Sequence, residues 1–182
     1  MSAPAPSAFA RSFTLVMTAI SIPMAIVMPL WVTAGRILFG VEGQLVPIFA
    51  LTAGPVLAVL MLTAAVKITV QAKARRPFGA PLKTSLLLLG NYVLAGAFGF
   101  FVPDFGTPAS GSVLSGLAGE DVLGYSAALA NPFGIATLFI SVVVLVRAFR
   151  DAAATRQDQV SATVLPVPWP EWPERSARAA SR

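Results

Sequence analysis

The sequence predicts an all-α integral membrane protein, a four-helix transmembrane bundle with both termini in the cytoplasm. Apolar residues make up 56% of the 182-residue chain and charged residues only 12%, whereas a soluble domain is about a quarter charged. The apolar residues form four runs, each close to the roughly 20 residues that cross a bilayer. The basic residues cluster in connections that the positive-inside rule places on one side of the membrane.

We predict spans at residues 13–34, 45–66, 84–102 and 132–149. The first two contain no charge, and the fourth contains Arg147 near its end, where a long side chain can reach the interface. Asn131 and Pro132 indicate the start of the fourth helix, as N-cap and first-turn proline. Four such runs leave too few polar residues to cover a water-soluble globule of this length.

The connecting segments predict the orientation. Residues 67–83 contain five bases and no acid, whereas residues 103–131 contain three acids and no base. We therefore expect a basic cytoplasmic loop at 67–83 and a long extracytoplasmic loop at 103–131, where residues 113–129 could form a short helix. Cleavage of the first run as a secretory signal would leave three spans, but this apolar run is about 22 residues long and exceeds the about 7 to 15 residues of a signal core.

Three polar side chains in the spans are candidates for an intramembrane site or helix contact: Asn91, Tyr92 and Thr52. An amide in hydrocarbon is unfavourable by several kcal/mol unless it is paired. Asn91 should therefore face the bundle, toward Thr52, Thr63, Thr137 or Ser141. Such a residue either lines a binding site or pore, or forms an interhelical hydrogen bond, and we favour the hydrogen bond.

Small residues recur at four-residue spacing on two spans. The positions are Ala50, Gly54 and Ala58 on the second span, and Asn91, Ala95 and Gly99 on the third. Such faces allow helix backbones to approach closely, within one bundle or between copies in a homo-oligomer. Interior prolines predict kinks at Pro23, Pro29 and Pro55, and Trp31 is placed at the headgroup level.

Both termini are predicted to be largely disordered, at residues 1–12 and 150–182. In the C-terminal tail, Trp169 and Trp172 lie among alternating prolines and suggest a docking peptide for a protein partner. The bases of the central connection are candidate contacts for anionic lipid headgroups; they are Lys67, Lys73, Arg75, Arg76 and Lys83.

Several classes of function are disfavoured by what the sequence lacks. Cysteine and histidine are absent, which removes disulfides, thiol catalysis and the usual zinc and haem ligands. No acid lies inside a predicted span, which counts against proton- or cation-coupled transport. The bases do not alternate with aromatic residues, so nucleic acid is not an expected partner, and no cofactor is predicted.

These observations favour an accessory or assembly subunit of a larger membrane complex. The alternative is a small oligomeric channel or transporter for a neutral or small polar solute. A membrane-embedded enzyme has the least support, because no catalytic constellation is present. The alanine-rich composition, with more arginine than lysine, suggests a bacterial plasma (inner) membrane.

Overall fold

The computed structural model describes residues 7–74, 78–107 and 111–163, and these residues contain helices and no strand. Four helices are long and apolar enough to cross a membrane, so the chain has the character of a multi-pass membrane protein. In chain order the helices are α1 (Ala8–Ala34), a 3₁₀ helix (Gly35–Phe39), α2 (Leu45–Leu51), α3 (Ala53–Ala74), α4 (Leu82–Phe101), α5 (Val113–Ala118), a second 3₁₀ helix (Glu120–Val122) and α6 (Leu123–Thr163).

The four long helices form a ring in which each one packs against two neighbours. The packed pairs are α1 with α3, α3 with α6, α6 with α4, and α4 with α1. Within the described residues, the diagonal pairs α1–α6 and α3–α4 do not pack together. α3 and α4 therefore lie diagonally across the bundle, although these helices are consecutive in the chain.

The bundle has two different ends. At one end of the bundle α1 and α4 begin and α3 ends. We call it the basic end, because it carries Lys67, Lys73 and Lys83. We call the opposite end, which is covered by α2, α5 and the 3₁₀ helices, the capped end. Val113 at the start of α5 is fully buried, and α5 packs against α4 and α6.

The predicted second span at 45–66 corresponds to two helices in the structure, α2 and α3. Pro55 has no N–H to donate to the carbonyl of Leu51, and its ring would clash with that carbonyl in a continuous helix. The chain breaks at Thr52, with φ −123° and ψ −87°, and α3 begins so that Pro55 lies in its first turn. At its other end α3 runs to Ala74, because Ile68 and Ala72 are buried against the bundle.

The helices that contain the first and fourth predicted spans extend beyond those spans. Ser7 caps α1, its Oγ accepting from the Ala10 amide at 3.2 Å, and α1 continues through Pro23 and Pro29. The helix therefore includes residues 8–12, which were predicted to be disordered.

The fourth helix does not begin at Asn131 and Pro132 as predicted. α6 starts at Leu123 and contains Pro132 in its interior. Tertiary packing stabilises the helix through Pro132. The Ser126 hydroxyl, six residues before the proline, donates to the Phe101 carbonyl at 2.6 Å, and Ala130 is buried.

The beginning of the predicted disordered tail is also helical, because α6 continues to Thr163. Two contacts to neighbouring helices hold this extension. Thr84 of α4 donates to Asp151 at 2.6 Å, and Gln71 of α3 donates to Thr155 at 3.1 Å. The predicted docking residues Trp169 and Trp172 lie outside the described residues.

Candidate functional site

A polar cluster lies in the middle of the bundle, at the contact between α4 and α6. Asn91 is 1% exposed, and its Oδ1 accepts a hydrogen bond from the Ser141 hydroxyl at 3.1 Å. This is one of the four pairings expected from the sequence. Tyr92 is also buried, and its hydroxyl has no hydrogen-bond partner among the described residues.

The space beside this cluster is very small. A cavity of about 10 Å³ is bordered by Asn91, Tyr92, Ser141 and apolar residues of α1, α3 and α6. A polar cavity must offer at least about 10–15 Å³ to hold one water molecule. The cluster has room for one water at most, and in this conformation it leaves no space for a larger solute.

Thr52, the third candidate polar residue, does not belong to this cluster. It lies at the break between α2 and α3, is exposed, and donates to the Ile48 carbonyl at 2.6 Å. Its hydroxyl satisfies a carbonyl of its own helix end, which is the local use expected of a threonine next to a break.

The two small-residue faces have different surroundings. On α4, Asn91 and Ala95 are buried in the bundle, and a Cβ at Gly99 would lie 2.6 Å from the indole nitrogen of Trp31. Trp31 of α1 therefore packs against α4, and its indole N–H donates to the Gly96 carbonyl at 3.0 Å.

The second-span face is only partly packed. Gly54 is buried against Thr33 of α1, whereas Ala50 is exposed and Ala58 is half-buried. These three residues line an apolar groove of about 340 Å³ between α1 and the α2–α3 region.

The candidate lipid-contacting bases are distributed around the basic end. Lys73 and Lys83 are exposed, and the Lys67 ammonium lies 4.9 Å from the centre of the Phe149 ring. Arg75 and Arg76 lie outside the described residues. The connection itself is attached to α1, because the Ala80 amide donates to the Thr18 hydroxyl at 2.9 Å.

The capped end contains a buried ion pair that the sequence analysis missed. The Arg36 Nη1 lies 3.5 Å from Asp104 Oδ2, with side chains 1% and 0% exposed. The guanidinium also donates to the Val32 carbonyl at 3.2 Å and stacks over Phe49 at 5.2 Å. Arg36 and Asp104 each lie two residues after a predicted span, and both spans are predicted to end on the same side of the membrane. This common position was the signal available in the sequence.

Asp104 joins the two connections of the capped end. Its Oδ1 accepts from the amides of Leu45 and Phe105, each at 2.8 Å. Gly43 is required beside it, because a Cβ there would lie 2.2 Å from the same oxygen. The pair therefore fixes the segment before α2 to the segment after α4.

No three acidic side chains in the described ranges converge to hold a metal ion. Among the buried hydroxyls, Ser141 donates to Asn91 and Thr137 donates to the Phe133 carbonyl. The hydroxyls of Ser85 and Tyr92 have no hydrogen-bond partner in the described part of the chain. No family model, curated protein or solved structure matches this chain.

Proposed function

We propose that this chain is an accessory or assembly subunit of a larger membrane complex. The observation that carries the proposal is the small space beside the polar cluster of Asn91, Tyr92 and Ser141 in the middle of the bundle. This cluster borders only about 10 Å³ of space. A single chain with such an interior suits a scaffold that packs against other helices better than a path for a solute.

The groove between α1 and the α2–α3 region is the surface where we place a transmembrane helix of the partner. It is lined by apolar residues and by the hydroxyl-bearing Thr33, and its wall carries Ala50, Gly54 and Ala58. Small residues at helix interfaces allow close backbone approach, which is a main source of helix association in lipid. The partner's helix would supply the side chains that this wall lacks.

The test is purification from the native membrane in lipid nanodiscs, with mass determination and identification of co-purifying proteins. We expect a larger assembly that contains distinct proteins. Ala58→Leu would fill the groove and release the partner, whereas the matched control Ala19→Leu places the same side chain on an exposed position of α1 outside the groove. A homo-oligomer without other proteins would contradict the proposal and favour an oligomeric pore.

The C-terminal tail is the second partner contact that we propose. Deletion of residues 164–182 removes Trp169 and Trp172 and leaves the contacts of α6 with Gln71 and Thr84 intact. We expect this variant to insert normally and to lose part or all of the partner. Unchanged co-purification would exclude the tail from docking.

The proposed orientation places both termini and the basic end in the cytoplasm of a bacterial inner membrane. The distribution of Lys and Arg supports it. Because the chain has no cysteine, single-cysteine variants report position without background. We expect Glu120→Cys to react with a membrane-impermeant maleimide in intact cells, and Gln157→Cys to react only after permeabilisation. Both positions are exposed, so the reverse pattern would refute this orientation.

A further inference from the structure

An open groove runs between α4 and α6 from the basic end toward the middle of the bundle. Its volume is about 520 Å³, and it is lined by Lys83, Leu86, Leu87, Gly90, Leu94, Ile140 and Arg147. From Lys83 to Leu94, α4 rises about 16 Å at 1.5 Å per residue. This is about half of the roughly 30 Å hydrocarbon thickness of a bilayer, so the groove has the depth of one leaflet.

The groove is open at Gly90, because glycine has no side chain to fill it. A Cβ built there would meet no atom within 4 Å, and the neighbouring Leu86 is 54% exposed. Gly96, two turns further along α4, is equally open but does not line the groove. The two glycines therefore offer the same substitution inside and outside the groove.

Two bases lie at the mouth of the groove with unused hydrogen-bonding capacity. Lys83 is exposed and forms no ion pair with the described part of the chain. The Arg147 Nε is buried without a hydrogen-bond partner there, and its Nη2 lies 4.0 Å from Asp151. Asp151 uses its other oxygen to accept from Thr84 at 2.6 Å. Lys83 and Arg147 carry two positive charges and Asp151 carries one negative charge, so the mouth of the groove has a net positive charge.

We propose that this groove binds one anionic phospholipid of the leaflet at the basic end. The acyl chain lies along Leu86, Gly90 and Leu94, and the phosphate accepts hydrogen bonds from Lys83 and Arg147. Guanidinium and ammonium groups suit phosphate oxygens, and a negative headgroup complements the net charge of the mouth. The inference goes beyond the proposed subunit function and does not depend on it or on the orientation in the cell.

The purified full-length chain in detergent is incubated with phosphatidylglycerol or with phosphatidylcholine of the same acyl chains, and bound lipid is counted by native mass spectrometry. We expect wild type to retain one phosphatidylglycerol per chain in preference to phosphatidylcholine. Gly90→Leu should abolish retention of both lipids because it fills the groove. The control Gly96→Leu should retain lipid as wild type does.

The charge variants separate headgroup recognition from acyl-chain binding. Lys83→Gln and Arg147→Gln should each lower the preference for phosphatidylglycerol about fivefold, which corresponds to about 1 kcal/mol per base near a membrane surface. Neither substitution blocks the groove. Phosphatidylcholine also has a phosphate, but its choline offsets the negative charge, so its binding should fall less than that of phosphatidylglycerol. If Gly90→Leu fails to insert, these two variants still decide the proposal.

Three results would overturn the lipid site. Wild type could retain both lipids equally, or Gly90→Leu could retain phosphatidylglycerol as well as wild type does. The third is a wild-type dimer without bound lipid that Gly90→Leu converts to a monomer, which would assign the groove to a second copy of the chain.

Discussion

Replacement of Asp104 by Asn tests whether the Arg36–Asp104 pair holds the capped end together. Asn keeps an oxygen at the Oδ1 position, so the amides of Leu45 and Phe105 retain the acceptor that they contact at 2.8 Å. The substitution removes the negative charge that lies 3.5 Å from the Arg36 guanidinium. Because both side chains are buried, it leaves a buried cation without a counterion.

The expected loss in the free energy of unfolding is about 3 kcal/mol. Removal of one partner of a buried ion pair is destabilising by about 3–5 kcal/mol. We expect the lower limit because Arg36 keeps its bond to the Val32 carbonyl and its position over the Phe49 ring. A solvated surface pair would contribute only about 0–1 kcal/mol, so the two cases are distinguishable.

The assay is unfolding of the purified chain in mixed micelles by titration with sodium dodecyl sulfate, followed by far-ultraviolet circular dichroism. Asp104→Asn is compared with Arg36→Met and with the double variant. We expect the double variant to be more stable than Asp104→Asn alone, because methionine removes the uncompensated charge. A loss below about 1 kcal/mol for Asp104→Asn would show that Arg36 reaches water and would refute the reasoning.

Three further substitutions test the bundle interior by the same unfolding assay. Gly99→Val should destabilise the chain by about 1–3 kcal/mol, because the valine side chain would overlap the Trp31 ring. An unchanged stability would mean that α1 and α4 are not packed this closely. Asn91→Leu should lower stability by about 0.6–2 kcal/mol through loss of the bond from Ser141, and a stabilised variant would contradict the role of this bond. Thr18→Val removes the hydroxyl that accepts from the Ala80 amide, so hydrogen exchange at that amide should become faster. Exchange at the capped end should not change, and uniform acceleration would count against a local contact.

The membrane character of the chain and the number of its long helices could be predicted from the sequence. This prediction succeeded because the hydrocarbon thickness sets the length of a span and because lipid accepts few charges, and both constraints act on contiguous residues. The inward position of Asn91 followed in the same way from the unfavourable free energy of an unpaired amide in lipid. The prediction needed no knowledge of which helix would supply the partner.

The ends of the helices could be predicted only in part. Two prolines have opposite effects. α2 ends four residues before Pro55, whereas α6 continues through Pro132. The difference comes from the neighbours, because Ser126 and Ala130 before Pro132 are buried against other elements, whereas Leu51 before Pro55 is 83% exposed. Packing can stabilise a helix through a lost hydrogen bond, and this packing involves residues distant in sequence.

The sequence by itself determined that four segments are long and apolar enough to cross a membrane, where the charges concentrate and which polar residue should turn inward. Only the tertiary structure decided that α3 and α4 lie diagonally, that Trp31 packs against Gly99, and that Arg36 and Asp104 form a buried pair. The physical reason is the range of the interactions. Transfer of a segment into lipid depends on the composition of that segment. A groove, an ion pair or a close helix contact depends on two segments, and the order of helices around the bundle brings these segments together.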